Sequence, residues 1–241
     1  MYLIKKCIIF SLLIFININL AYSQSIELRE SLKNTKTSYK DGKLKEAINY
    51  AKEAIKFSKN DFGINHYYTA TLIENLGIIQ YELSMYEDAK DSFVEVLNIR
   101  KTSLNEDHID IAESLNYIAL TNRKLYQYDD AISYHNEALL VMSRSITKSN
   151  PHAMNEKNRK GAIFRASALH TKALIEIKNR NTSDAIGLLL TSSKIFYNTL
   201  GKDKTQLIES YEDLIKLALS INDEELANKT KQKLKNLENR I

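Results

Sequence analysis

The chain is 241 residues long, 44% apolar and 27% charged, and it has only 6 Gly and 1 Pro with which to make turns. Sandwiches, barrels and Rossmann-like sheets place Gly at positive φ in their tight turns, so this scarcity points to an all-α chain. The 34 basic and 30 acidic side chains leave a formal charge of +4, which excludes a disordered polyelectrolyte and the concentrated basic stripe of a nucleic-acid binder.

At the N terminus, Lys5 and Lys6 precede an almost continuous apolar run from Cys7 to Leu20, and Ala21-Tyr22-Ser23 forms a small-x-small site before Gln24. This pattern predicts a secretory signal over 1–23 that is removed from the working chain, 24–241. A membrane span needs about 20 apolar residues, and this run is shorter and interrupted by Asn17 and Asn19. No stable membrane anchor is therefore expected after cleavage. Cys7, the lone cysteine, opens the apolar run instead of sitting at the cleavage site, which argues against lipid attachment. An exported chain without disulfides must draw its stability from packing.

Beyond the signal the chain repeats itself. Leu44, Ala47 and Ile55 recur as Tyr86, Ala89 and Leu97, and again as Tyr128, Ala131 and Leu139, each step being 42 residues. The connectors share the offset, since His66 matches His108, Ala70 matches Ala112 and Asp88 matches Asp130. The pattern resumes at Ala185 after 12 extra residues and returns at Ala227. Apolar spacing inside each unit is helical: Ile73, Leu76, Tyr81 and Leu83 are followed by Ala89, Phe93, Val96 and Leu97. Five units of two antiparallel helices are expected, over about 26–60, 67–101, 109–145, 151–199 and 205–241. Polar turns fall at Gly42, Ser84, Tyr126-Gln127 and Asn181-Thr182-Ser183.

Small residues recur where the two helices of a pair must approach closely. Ala47, Ala89, Ala131, Ala185 and Ala227 lie near the start of each second helix, and Gly77, Ala119 and Ala173 answer them 12 residues earlier. A single hairpin cannot bury both faces, so neighbours must stack. The extra residues surround Ser149-Asn150-Pro151, a helix-start signal that lengthens the first helix of unit four. Lys157, Arg159, Lys160 and Arg165 follow it, and a solvated face explains them better than an anionic partner does. The last helix sets Leu226, Leu234, Leu237 and Ile241 opposite Lys229, Lys231, Lys233 and Lys235, as a terminal cap requires.

Leu76-Gly77 with Tyr86, Ala89 and Phe93, then Asn105-Glu106-Asp107-His108, Ala112, Ser114-Leu115-Asn116, Ala119, Tyr128, Asp130-Ala131 and Ala138-Leu139, resembles the tetratricopeptide repeat. The 42-residue period and the acidic-His connector look like the longer subclass typified by kinesin light chains. The sequence departs from that pattern at Ile109, where the family commonly has Pro, and at Gln80 and Asn122, where it commonly has Tyr. The resemblance implies an α-solenoid, a right-handed superhelix whose first helices line a concave face that binds protein or peptide.

On that geometry, the groove residues expected are Glu74, Ile78 and Tyr81 in unit two, Asn116, Leu120, Arg123 and Lys124 in unit three, and His170 and Lys178 in unit four. Apolar side chains among polar ones suit a recognition surface, although burial by the next repeat is an equally good account of the apolar members. Tyr39, Tyr50, Tyr117, Tyr134, Tyr197 and Tyr211 read as packing between helices. No phosphate loop, His-Glu-x-x-His pair or Gly-x-Ser-x-Gly elbow is present, so no catalytic residue, cofactor or metal is assigned. Repeat equivalence accounts for His66 and His108 better than metal ligation does. Glu74, Glu82, Glu113, Glu209 and Glu212 read as a solvated face. The function expected is that of a non-catalytic exported scaffold, bacterial and periplasmic or secreted, with a protein or peptide partner and no nucleic acid. A second reading is an extracytoplasmic sensory module acting with a membrane-bound signalling partner.

Overall fold

A computed structural model describes residues 24–145, 151–199 and 205–238, which form ten helices and no strand. The expected signal, 1–23, lies outside the described residues. The helices are α1 (Ile26–Lys40), α2 (Leu44–Phe62), α3 (Tyr67–Glu82), α4 (Tyr86–Ser103), α5 (Ile109–Lys124), α6 (Tyr128–Arg144), α7 (Pro151–Lys178), α8 (Thr182–Thr199), α9 (Thr205–Ser220) and α10 (Glu224–Glu238). They pair as α1/α2, α3/α4, α5/α6, α7/α8 and α9/α10, and each pair also packs on the following one. The arrangement is an all-α solenoid. α7 has 28 residues where α3 and α5 have 16, so the sequence insertion is taken up as extra helix.

The reversal inside each hairpin is the same chemical device five times. Gly42, Ser84, Tyr126, Arg180 and Asn222 all have φ between 59° and 74°, the left-handed region. In the α3/α4 turn Ser84 N–H donates to the Tyr81 carbonyl and Met85 N–H to the Gln80 carbonyl, a Schellman cap that satisfies the last carbonyls of the first helix. The same two bonds recur around Gly42, Tyr126, Arg180 and Asn222. Only the first turn uses Gly. The fourth closes earlier than the sequence suggested, because Thr182 already belongs to α8 and the turn is Asn179-Arg180-Asn181. The connectors between hairpins are capped differently. His66 and His108 are the N-caps of α3 and α5, and each Nδ1 accepts the backbone N–H two residues on. An imidazole that accepts there is neutral and carries its proton on Nε2.

Close approach of the paired helices follows from their small residues. Ala47, Ala89, Ala119, Ala131, Ala173, Ala185 and Ala227 are all completely buried. At Gly77 an added methyl would lie 2.8 Å from the ring of Phe93 on the partner helix. Repeat-to-repeat contacts also recur with a fixed stride. Tyr39 donates to Glu82, Tyr67 to Asp110, and His170 pairs with Asp213, each 43 residues apart and each joining successive first helices. On the second helices Lys59 reaches Glu95 and Lys101 reaches Glu137, each 36 residues on. These exposed pairs contribute about 1 kcal/mol or less apiece; what they report is the register of the stack.

The apolar core is segmented. One cluster runs from Leu28 to Ile99 through α1–α4, and a second gathers Ala89, Phe93, Leu115, Ile118, Ala138 and Met142 with Phe164 of α7. Two further clusters lie in α7–α10, around Phe196 with Leu207 and around Leu189 with Leu214. Ile163 is shared by the second and third.

Candidate functional site

The face lined by the first helices is built from polar side chains that reach across repeats. Arg100, on α4, is 2% exposed and enters between α3 and α5. Its guanidinium holds both Glu74 oxygens at 2.8 and 2.9 Å, the Asp110 carbonyl and Ser114 Oγ, and it lies 6.0 Å from the Tyr67 ring centroid. Burial disfavours the charge on Arg100, but the Glu74 carboxylate more than offsets this and keeps it firmly ionised. Burial and the hydrogen bond to Asp110 push the Tyr67 phenol well up.

A second network lies further along. Arg123 of α5 donates to Glu209 of α9 at 2.7 Å and contacts His170 Nδ1 at 3.1 Å. Lys124 contacts the other Glu209 oxygen at 2.9 Å, and Tyr81 of α3 faces both Arg123 and Glu209. Because arginine is always a donor, His170 Nδ1 accepts, so Nε2 carries the proton and donates to Asp213 at 2.9 Å. Burial and the neighbouring Arg123 hold His170 below the ordinary imidazole value. Burial raises Glu209 and Asp213, but Arg123 with Lys124, and His170 with Lys216, overcome it and hold both carboxylates below their usual range. Glu113 is the opposite case, since burial there outweighs its contact with Lys160 and raises the carboxyl.

The residues expected along the groove are therefore divided by burial. Asn116, Leu120, Arg123 and His170 are buried, Glu74, Ile78, Tyr81 and Lys124 are half-buried, and Lys178 is exposed. The cause is that α5, α7 and α9 approach one another directly, so side chains aimed at the inner face meet the next repeat. Asn116 Oδ1 is buried without a hydrogen-bond partner. The solvated-face reading of the acidic residues needs correction. Glu74, Glu82, Glu113 and Glu209 each bond across to another helix, while Glu212 alone is exposed. Tyr197 is also corrected, because it is 58% exposed and does not pack between helices.

Most of the insertion's cations are engaged. Arg159 pairs with Glu156, Lys160 with Glu113, and Lys157 donates to the Ser145 carbonyl, while Arg165 is exposed. Sequence reasoning missed Arg100 and Asp213 altogether. A lone Arg on a second helix, 42 residues from no other Arg, gave no repeat signal, and the His170–Asp213 stride of 43 becomes visible only beside its equivalents. Among the described residues, no group of three or more His, Cys, Asp or Glu is placed to hold a metal ion, and no helix is long and apolar enough to cross a membrane.

The tetratricopeptide-repeat model matches residues 37–102, which span α2, α3 and most of α4. No curated protein matches the chain. Among solved structures, a variant form of a Podosopora anserina putative kinesin light chain with nearly identical TPR-like repeats aligns at a TM-score of 0.55 and 14% identity. That match covers 88% of this chain and 95% of the other. BtubC (BKLC) from P. vanneervenii aligns at 0.51 and 12% identity, covering 89% and 90%. MamA from Desulfovibrio magneticus aligns at 0.51 and 15%, covering 90% and 98%. These likenesses are of fold. Repeats of this kind make protein-interaction scaffolds and are typically non-catalytic. Residues 37–102 thus match the tetratricopeptide repeat, and the fold of the chain as a whole is similar to that of kinesin-light-chain-like repeat proteins.

Proposed function

We propose that this chain is an exported, non-catalytic scaffold that holds a protein or peptide partner along the face lined by its first helices. The observation that carries the reading is the ordered row of polar groups on that face. Glu74, Tyr81, Lys124 and Lys178 keep part of their surface open to solvent while their backbones are fixed by a frame of buried Ala and Gly. Within each hairpin, half-buried polar groups on a fixed backbone lose little conformational freedom on binding, the condition under which modest surfaces bind specifically. Export, to the periplasm or the medium of a bacterium, rests on the segment 1–23.

Amine-reactive crosslinking with mass spectrometry, on the tagged protein in its own host, tests the binding reading. Crosslinks to one partner through Lys124 and Lys178 are expected. Crosslinks confined to Lys52, Lys101 and Lys194, which are exposed on second helices, would refute the assigned face. The intact mass of the same material tests export, because a chain that keeps residues 1–23 is not processed.

A further inference from the structure

Units one to three and units four and five meet as two blocks at a junction that is apolar at its core, where Phe164 of α7 belongs to the second cluster and Ile163 to the second and third, and polar along its inner side. Among the described residues, the hydrogen bonds and ion pairs that cross it are made by side chains. His135 meets Thr171 at 3.4 Å, Lys160 meets Glu113, Lys157 meets the Ser145 carbonyl, and Arg123 meets both His170 and Glu209. The Arg123–Glu209 contact joins α5 to α9, first helices two repeats apart. Arg123 and Lys124 reach past α7 to Glu209, so the inner face closes at this point to within the combined reach of two long side chains.

We propose that Arg123 and Lys124, gripping Glu209, form a clasp that holds the two blocks curled and the inner face of units three to five closed, and that releasing it opens that face. The chemistry suits a clasp better than a weld. Ionised groups regain hydration when they separate, so opening exchanges buried ion pairs for solvated charges at small net cost. An apolar joint of the same area would lose burial with no such compensation. Glu209 shares its two oxygens between two cations and retains about a fifth of its side-chain surface, 21%, so water and competing ions have access to it. The use of the clasp rests on the reading that the inner face binds a partner; the clasp itself does not.

Pulsed electron spin resonance on the full chain, with spin labels at Glu87→Cys on α4 and Lys229→Cys on α10 in a Cys7→Ser background, measures the opening without any partner. Both label sites are exposed. Failure of the clasp is thus distinguishable from failure of the binding reading. The parent should give one short distance distribution. Arg123→Met with Glu209→Met removes the pair and leaves only Lys124, whose side chain is 30% exposed, to be taken up by water; it should lengthen the distance by on the order of one interhelical spacing, about 8–10 Å. Glu209→Gln should shift it in the same direction. An unchanged distance in the Met pair at parental helicity overturns the proposal. So does loss of helicity in both variants, which would make the contact a determinant of folding and not a clasp.

Discussion

One substitution, Gly to Ala, should stabilise at one helical position of this chain and fail to stabilise at another. Gly77 sits inside α3 and Gly187 inside α8. In a helix interior the change is worth about 1 kcal/mol of stabilisation, because Ala restricts the unfolded backbone and Gly does not. At Gly187 a new Cβ meets nothing within 4 Å, so the full gain should appear. At Gly77 the same atom would lie 2.8, 3.0 and 3.1 Å from three atoms of the Phe93 ring. That ring is 1% exposed and stacked on Tyr117 at 4.9 Å, so it has no free volume to enter. Overpacking of this kind costs about 1–3 kcal/mol, which leaves Gly77→Ala neutral to about 2 kcal/mol destabilised. Urea unfolding followed by far-ultraviolet circular dichroism reads both, and the midpoints should move apart with unchanged slope. Phe93→Leu in the Gly77→Ala background should recover part of the loss by making room. If Gly77→Ala stabilises as much as Gly187→Ala does, the close crossing of α3 and α4 is not what selects Gly there.

Acid should weaken the fold early. Burial pushes His135 down to about 3, so as pH falls below the ordinary value of 6.5 the unfolded chain takes up a proton that the folded chain refuses. Stability is therefore full above neutrality and is lost progressively down to about pH 3, by about 2 kcal/mol at pH ~5, and His135→Gln should flatten a thermal-melting profile over that interval. Arg100 makes the opposite demand on charge: Glu74→Gln leaves a guanidinium that is 2% exposed without its counter-ion and should cost about 3–5 kcal/mol. Replacing both partners by Met should cost far less, and equal losses for the two variants would show that the pair does not act through burial of charge. In the turns, Arg180→Gly should stabilise by about 1 kcal/mol, since a non-Gly residue at φ 64° carries strain that Gly lacks. Gly42→Ala, at φ 74°, should destabilise by a similar amount, and calorimetric midpoints moving the other way would refute the cap assignment.

What could be read from the sequence was whatever repeats with a fixed stride. Ala89 and Ala131 announce themselves because the same backbone crossing demands the same small side chain each time. Pro151 and the 12 extra residues likewise predict a longer first helix, and α7 has that length. The turns at Gly42, Ser84 and Tyr126 were located, but their common αL conformation was not legible, because Ser84, Tyr126, Arg180 and Asn222 share a conformation and no side-chain property. The selection there acts on backbone hydrogen bonds that any residue makes. The carboxylates were misjudged for a related reason. Glu74 and Glu209 are spaced like a solvated helix face, and helical periodicity locates a side chain around its own axis without saying whether another helix stands opposite.

That same limit explains why the inner face could be located in the sequence while its state could not. Periodicity places Asn116, Leu120 and Arg123 on one side of α5, and a straight stack would leave that side open. Curvature decides otherwise. In the clasp proposed above it is held by a long-range pair, Arg123 with Glu209, 86 residues apart. The frame of buried alanines fixes how each hairpin closes, while the apolar clusters that run across hairpins and the polar contacts between units three, four and five act together on the angle between hairpins. The polar contacts are the ones that water can replace, so under the proposed clasp the least repetitive residues of the chain govern how far the face built by its most repetitive ones opens.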